Sequence, residues 1–162
     1  MTDPTSPAPP SPAAPSATLT PTEVVEQVRR MVAGEGVVFA DLFADDGVLE
    51  YPFPLPGQPP RLEGREAVRR HFAGVSDARA LFRMEEVTAV VHRTDDPEVV
   101  VTQIEHRGTS ALTGQPYRSR ALGIIRVREG RIVHYQDYMD PLATARLLGR
   151  TQELADALTG QA

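Results

Sequence analysis

Aspartate is depleted from β-strands, yet Asp137 sits inside Arg131–Met139, a run of β-branched and aromatic residues with Tyr135 and Tyr138 close by. Strand side chains alternate between two faces, so Val133, Tyr135, Asp137 and Met139 are expected to share one. If that face looks inward, a carboxylate stands among apolar and aromatic groups. Desolvation there raises its pKa toward neutrality, the range that suits a general acid or base. The competing reading is a strand-end aspartate paired with an arginine and purely structural.

His71 is the natural partner to consider, since helical spacing puts it on one face with Ala67, Val68 and Phe72. A lone histidine on an apolar face can equally be a satisfied core residue. Tyr135 and Met139 share the Asp137 face and are candidates for contact with a substrate. Glu105 shares a strand face with Val101 and Gln103, and His106 takes the opposite one. One of the two should meet the pocket, and the spacing leaves open which. Tyr117, at a strand start, is placed to reach the pocket mouth, whereas Arg118 and Arg120 read as an outer pair. Asp140 is acidic too, but Asp followed by Pro141 is a helix start, with aspartate as N-cap and proline in the first turn.

The elements that must hold these residues follow from pattern. Residues 1–19 are almost all Pro, Ala, Ser and Thr, have nothing to bury, and read as a disordered tail. A single domain is expected over 20–160. Thr20-Pro21-Thr22-Glu23 is a capping box, followed by a helical stripe of Val24, Val25, Val28, Met31 and Val32 that stops at Gly34. A short helix over Val37–Phe43, a turn at Asp45-Asp46-Gly47, a strand over Val48–Tyr51, a proline-dense loop and a helix over Glu63–Phe72 come next. Four strands are then predicted, over Phe82–His92, Val99–Gly108, Tyr117–Val127 and Arg131–Met139, separated by turn-forming residues. Their connections are too short for crossover helices, so the last three should form antiparallel hairpins. Two short helices, to about Leu148 and over Thr151–Leu158, end the chain. Helices followed by a meander give an α+β fold, a curved antiparallel sheet forming a cone with the N-terminal helices over its pocket.

Composition narrows the chemistry. The chain has 162 residues, a formal charge of −5 and no cysteine, so disulfides and thiolate metal sites are excluded. Four histidines lie scattered without metal-ligand spacing, and no metal or cofactor is expected. With no basic stripe, nucleic acid is not an expected partner. No apolar run approaches the roughly 20 residues of a membrane span, and no secretory signal opens the chain. A cytoplasmic protein is the expectation.

The phrases Leu42-Phe43-Ala44-Asp45-Asp46-Gly47, Leu62-Glu63-Gly64-Arg65-Glu66-Ala67-Val68 and Gly130-Arg131-Ile132-Val133-His134-Tyr135-Gln136-Asp137-Tyr138, in this order of elements, resemble the SnoaL-like branch of the nuclear transport factor 2-like superfamily. The resemblance spans about residues 20–150 and implies a cone-shaped fold and a homodimer. It leaves the reaction open, because the cone hosts isomerases, cyclases, dehydratases, epoxide hydrolases and inert binding modules. Ketosteroid isomerases place their base just before the proline after the first strand; that position here is Tyr51, whose phenol could instead donate to a ligand carbonyl or oxyanion. Of the aspartate–arginine–aspartate relay in limonene-type epoxide hydrolases, only Asp137 is matched. Phenazine-biosynthesis members are similar at His71 and at Gln136-Asp137-Tyr138-Met139-Asp140, where they carry Glu for Asp137.

Together these readings point to an enzyme of secondary metabolism moving protons on an apolar, polyketide- or polycycle-like metabolite. Asp137 and His71 are the catalytic candidates, with Tyr51, Tyr135, Met139, Glu105 and Tyr117 around the substrate. The alternative is a module that binds a small molecule, or dimerises beside a larger enzyme, without turnover.

Overall fold

The computed structural model describes residues 18–75 and 80–160, so most of the expected N-terminal tail lies outside the described residues. Helix α1 (Pro21–Ala33) starts as its sequence requires. The Thr20 hydroxyl accepts from the Glu23 amide while the Glu23 carboxylate accepts from the Thr20 amide, and Gly34 closes the helix at a positive φ of 79°. Val24, Val25 and Val28, spaced along one face, are buried. The expected second helix is a single 3-10 turn, Phe39–Leu42. Strand β1 (Phe43–Glu50) then begins earlier than predicted. It carries Asp45-Asp46-Gly47 as an irregularity in its pairing with β6. Gly47 is needed there because a Cβ would lie 2.6 Å from the Ile132 carbonyl oxygen.

A short strand β2 (Arg61–Glu63), too brief to leave a pattern in the sequence, leads into helix α2 (Arg65–Val75). Strands β3 (Phe82–Arg93), β4 (Val99–Ser110), β5 (Pro116–Arg128) and β6 (Arg131–Met139) follow, then helices α3 (Pro141–Leu147) and α4 (Thr151–Thr159). The Asp140 carboxylate caps α3 by accepting from the Leu142 and Ala143 amides.

The six strands form one open sheet in the order β2-β1-β6-β5-β4-β3. Its β3–β6 meander is antiparallel as expected, and β1 joins it in parallel with β6, so the curved sheet is mixed. The physical reason is the connection. Between β1 and β6 lie a helix and most of the sheet, ample chain for the return that a parallel pair requires.

Register assigns the faces. Tyr135 lies beside Ile125 and Leu49, Asp137 beside Gly123, and Met139 beside Ala121. Through β4 these continue to Val100, Thr102 and Ile104. This concave face packs under α1, the 3-10 turn and α2, forming a core that includes Val24, Val28, Phe39, Phe43, Leu49, Val68, Ile125 and Tyr135. A bulge between Arg126 and Val127 in the β5–β6 pairing resets the alternation. Ile132, not Val133, is therefore the fully buried neighbour of Tyr135 on this face.

Curvature of the long hairpin depends on Gly108. It sits at the β3 irregularity between Met84 and Glu86, and a Cβ there would fall 1.9 Å from the Arg83 carbonyl oxygen. Backbone cannot yield as a side-chain tip can. Gly108→Ala should therefore cost about 2 kcal/mol or more, read as a lowered denaturation midpoint. An unchanged midpoint would show that the β3–β4 pair is not held in this register.

Candidate functional site

Asp137 projects from β6 onto the concave face, opposite Gly123 and beyond it Thr102. Taken whole the residue is only partly buried, but its Oδ1 is sealed from solvent and has no hydrogen-bond partner among the described residues. The sealed oxygen, rather than the residue average, sets the cost of ionisation. Burial pushes the carboxyl up to about 7, and the arginine of the structural reading is not among its partners.

The candidates that accompany it are two phenols, an imidazole and a thioether. Tyr51 follows β1, held by donation from its amide to the Pro60 carbonyl at 2.8 Å, and is 3% exposed. Burial, then the Asp137 charge, raises its phenol well above the usual tyrosine range. Tyr135 is raised for the same reasons, in the same order, with Tyr51 adding to the effect. Both phenols therefore stay protonated and able to donate. His71 projects from α2 with its ring centroid 5.9 Å from that of Tyr51 and 5.4 Å from that of Phe72. Burial lowers its pKa, which favours the neutral imidazole. Met139 shares the face and packs against the core.

The other candidates lie apart. His106, not Glu105, takes the concave face, paired across β5 with Ser119. Its Nδ1 is 3.2 Å from the Tyr117 hydroxyl, and Phe82 packs on both rings. Glu105 is on the outer face and plays no part in the arrangement around Asp137. Its Oε2 accepts from Arg118 and Arg120, each at 2.7 Å, and these bonds hold its carboxyl well below the usual carboxylate range. Strand parity alone could not choose between the two; the cross-strand arginines, which share the Glu105 face by register, decide it.

Among the clefts on the described residues, two bear on the candidates. One, of about 390 Å³, is lined in part by Glu50, Tyr51, Gln136 and Tyr138. The other, of about 330 Å³, lies against α3. Neither counts Asp137 among its lining residues. Tyr51 belongs both to the first cleft and to the surroundings of Asp137. No group of acidic and histidine side chains among the described residues is arranged to hold a metal ion. No described helix is long and apolar enough to cross a membrane.

Gly123 was not singled out in the sequence, although a glycine inside a strand signals close approach. A Cβ there would lie 2.9 Å from Cε2 of Tyr135 and 3.0 Å from Cγ2 of Thr102. Its missing side chain is the space into which Tyr135 leans. Thr102, the other overlooked member of this face, is fully buried with its hydroxyl donating to the Val90 carbonyl.

Residues 24–135 match the model of the SnoaL-like domain. The chain belongs to the SnoaL-like family. An uncharacterized PhzA/B-like protein of Pseudomonas aeruginosa is 28% identical over 137 residues, 85% of this chain and 95% of that protein. The uncharacterized protein YesE of Bacillus subtilis is 31% identical over 112 residues, 68% of this chain and 74% of its own length. Among solved structures, a Bacillus subtilis protein proposed to be an isomerase superposes with a TM-score of 0.66 at 28% identity, covering 80% of this chain and 94% of that one. A Pseudomonas putida protein proposed to be a polyketide cyclase gives 0.60 at 17% identity, over 80% and 98% of the two chains. The latter likeness is one of fold: the cone architecture is that of nuclear transport factor 2-like proteins.

Gly123→Ala should force the Tyr135 ring from its seat and lower stability by about 1–3 kcal/mol. With no tryptophan and four tyrosines in the chain, near-ultraviolet circular dichroism reports tyrosine packing directly and should change with the melting temperature. A variant with wild-type melting and spectrum would show that Tyr135 does not occupy this space.

Proposed function

We propose that this chain is a cofactor-independent enzyme of isomerase or cyclase kind, moving a proton on an apolar, polycycle-like small molecule. The observation that carries the reading is the sealed, unpartnered Oδ1 of Asp137 with a carboxyl raised to about 7. A group titrating near the working pH can both take and return a proton. Asp137 would abstract a proton next to a carbonyl and deliver it elsewhere on the same skeleton. Tyr51 and Tyr135, kept protonated, would donate to the oxygen that gains charge, and neutral His71 would orient the substrate or relay the proton. Family membership and the relatives described as an isomerase and a polyketide cyclase support the class. A domain spanning 20–160, and a place in secondary metabolism in the cytoplasm, belong to the same reading.

The ionisation also fixes a stability test. An unfolded aspartate has a pKa of about 3.9, and in the folded chain it is about 7. Between these values the folded state binds the proton that the unfolded state has lost. Stability therefore falls as pH rises from about 4, and levels off above about 7. The loss is at most on the order of 4 kcal/mol. Asp137→Asn removes the titration, so the variant should be more stable than wild type at pH 8 and equal to it near pH 4. Its turnover should drop by about a hundredfold or more. A variant less stable at pH 7, with the deficit fading toward acid, would make Asp137 an ion-paired scaffold residue.

We also propose a homodimer through the outer sheet face. Leu122 and Val90 there are 37% and 53% exposed and adjoin the Glu105–Arg118–Arg120 cluster, a surface that mixes apolar area with fixed charge. Sedimentation at micromolar concentration should report twice the chain mass of 17.7 kDa. A monomer across that range would overturn the proposal.

A further inference from the structure

Strand β6 stops at Met139, opposite Ala121, while β5 begins earlier, at Pro116. Over that overhang the flank of β5 is covered by α3 in place of a strand, leaving the cleft of about 330 Å³ between α3 and the tip of the β4–β5 hairpin. Its lining is unusual in what it leaves unpaired. Ser110 and Ser119 are only 7% and 9% exposed. Among the described residues, neither hydroxyl has a hydrogen-bond partner, nor has the Gln115 amide group or the Arg146 guanidinium. Neither serine oxygen is sealed within protein, so their open side is the cleft. The two recessed hydroxyls are open to the cleft, and the exposed Gln115 and Arg146 side chains line the same space.

The charge balance names the class of molecule. No carboxylate lines the cleft. The Arg118 charge is offset by Glu105 on the outer face, which leaves Arg146 as the one uncompensated charge in the lining. The remaining wall sets the apolar Ala143, Leu147 and Pro116 beside Thr113 and Tyr117. A guanidinium fork matches a carboxylate with two parallel hydrogen bonds. One positive charge beside apolar surface suits a monoanion with a hydrocarbon body better than a dianion, whose second charge would be desolvated unpaired.

We propose that this cleft is a binding site for a small organic carboxylate. The carboxylate sits on Arg146, the two serine hydroxyls and Gln115, and the hydrocarbon lies on Leu147 and Ala143. The site shares no lining residue with the Asp137 arrangement and stands whether or not Asp137 is catalytic. The overall charge of −5 repels anions at long range, so recognition has to come from these local contacts.

The test is a titration of the nitrogen-15-labelled full chain with benzoate, its neutral isostere benzamide, and inorganic phosphate, followed by amide chemical shifts. Benzoate should shift Ser110, Gln115, Ser119 and Ala143, and benzamide should bind about tenfold or more weakly. Arg146→Gln, an exposed change, should reproduce that loss while melting like wild type. Asp137→Asn should bind benzoate normally. Shifts confined to Tyr51, His71 and Asp137, equal binding of benzamide or phosphate, insensitivity to Arg146→Gln, or no benzoate binding up to its solubility limit would each overturn the proposal. None of those results bears on turnover by Asp137.

Discussion

Everything in this molecule hangs on covering the concave face of the sheet. Val100, Ile104, Ile125, Ile132 and Leu49 line that face and are all but inaccessible to solvent. Each contributes about 1.5–3 kcal/mol by leaving water. The contribution exists only while α1 supplies Val24, Val25 and Val28 and the 3-10 turn supplies Phe39. Phe39 makes edge-to-face contacts with Phe43, Phe72 and Tyr135, at centroid distances of 5.0, 4.7 and 5.9 Å. Those contacts tie the turn, the first strand, the second helix and the last strand into one unit. The glycines at 47, 108 and 123 serve the same end, since each lets backbone or an aromatic ring come closer than a Cβ allows.

A carboxylate placed under such a cover works against it. Among the described residues Asp137 forms no salt bridge and its sealed oxygen has no partner, so the fold is weaker for holding it ionised. A structural role would call for the opposite arrangement, as Glu105 illustrates one strand pair away. There two guanidinium groups hold the carboxylate charged. Sites where local stability is given up are where functional groups concentrate.

Much of this was legible in the sequence because the signals are local. The capping box at Thr20, the Asp140-Pro141 helix start and the β-branched runs of β3 to β6 each depend on neighbours within a few residues, and each element formed where its pattern places it. Asp137 stood out for the same reason, an acid in a run of strand formers. What failed to show was set by pairing. The parallel β1–β6 contact joins segments far apart in the chain. The bulge that turns Ile132 inward needs the β5 register. The choice between Glu105 and His106 is a parity question that only cross-strand partners answer.

The distribution of charge over the sheet ties the fold to the chemistry. Ion pairs of the long strands sit on the outer face or at the hairpin ends: Glu105 with Arg118 and Arg120, Glu86 with Arg107, and Glu98 with Arg126 and Arg128. These exposed pairs stabilise little, but they draw the guanidinium groups away from the concave side. Burial is the one cause acting on the Asp137 carboxyl, with no counter-charge to pull it back down. A group governed by desolvation alone responds to whatever displaces the apolar cover above it. An apolar guest that keeps water out preserves the raised pKa, and a polar guest that hydrates the oxygen lowers it. On the proposed reading of Asp137 as the base, that apolar cover would select a substrate and also keep the carboxyl at a useful pKa while the substrate is bound.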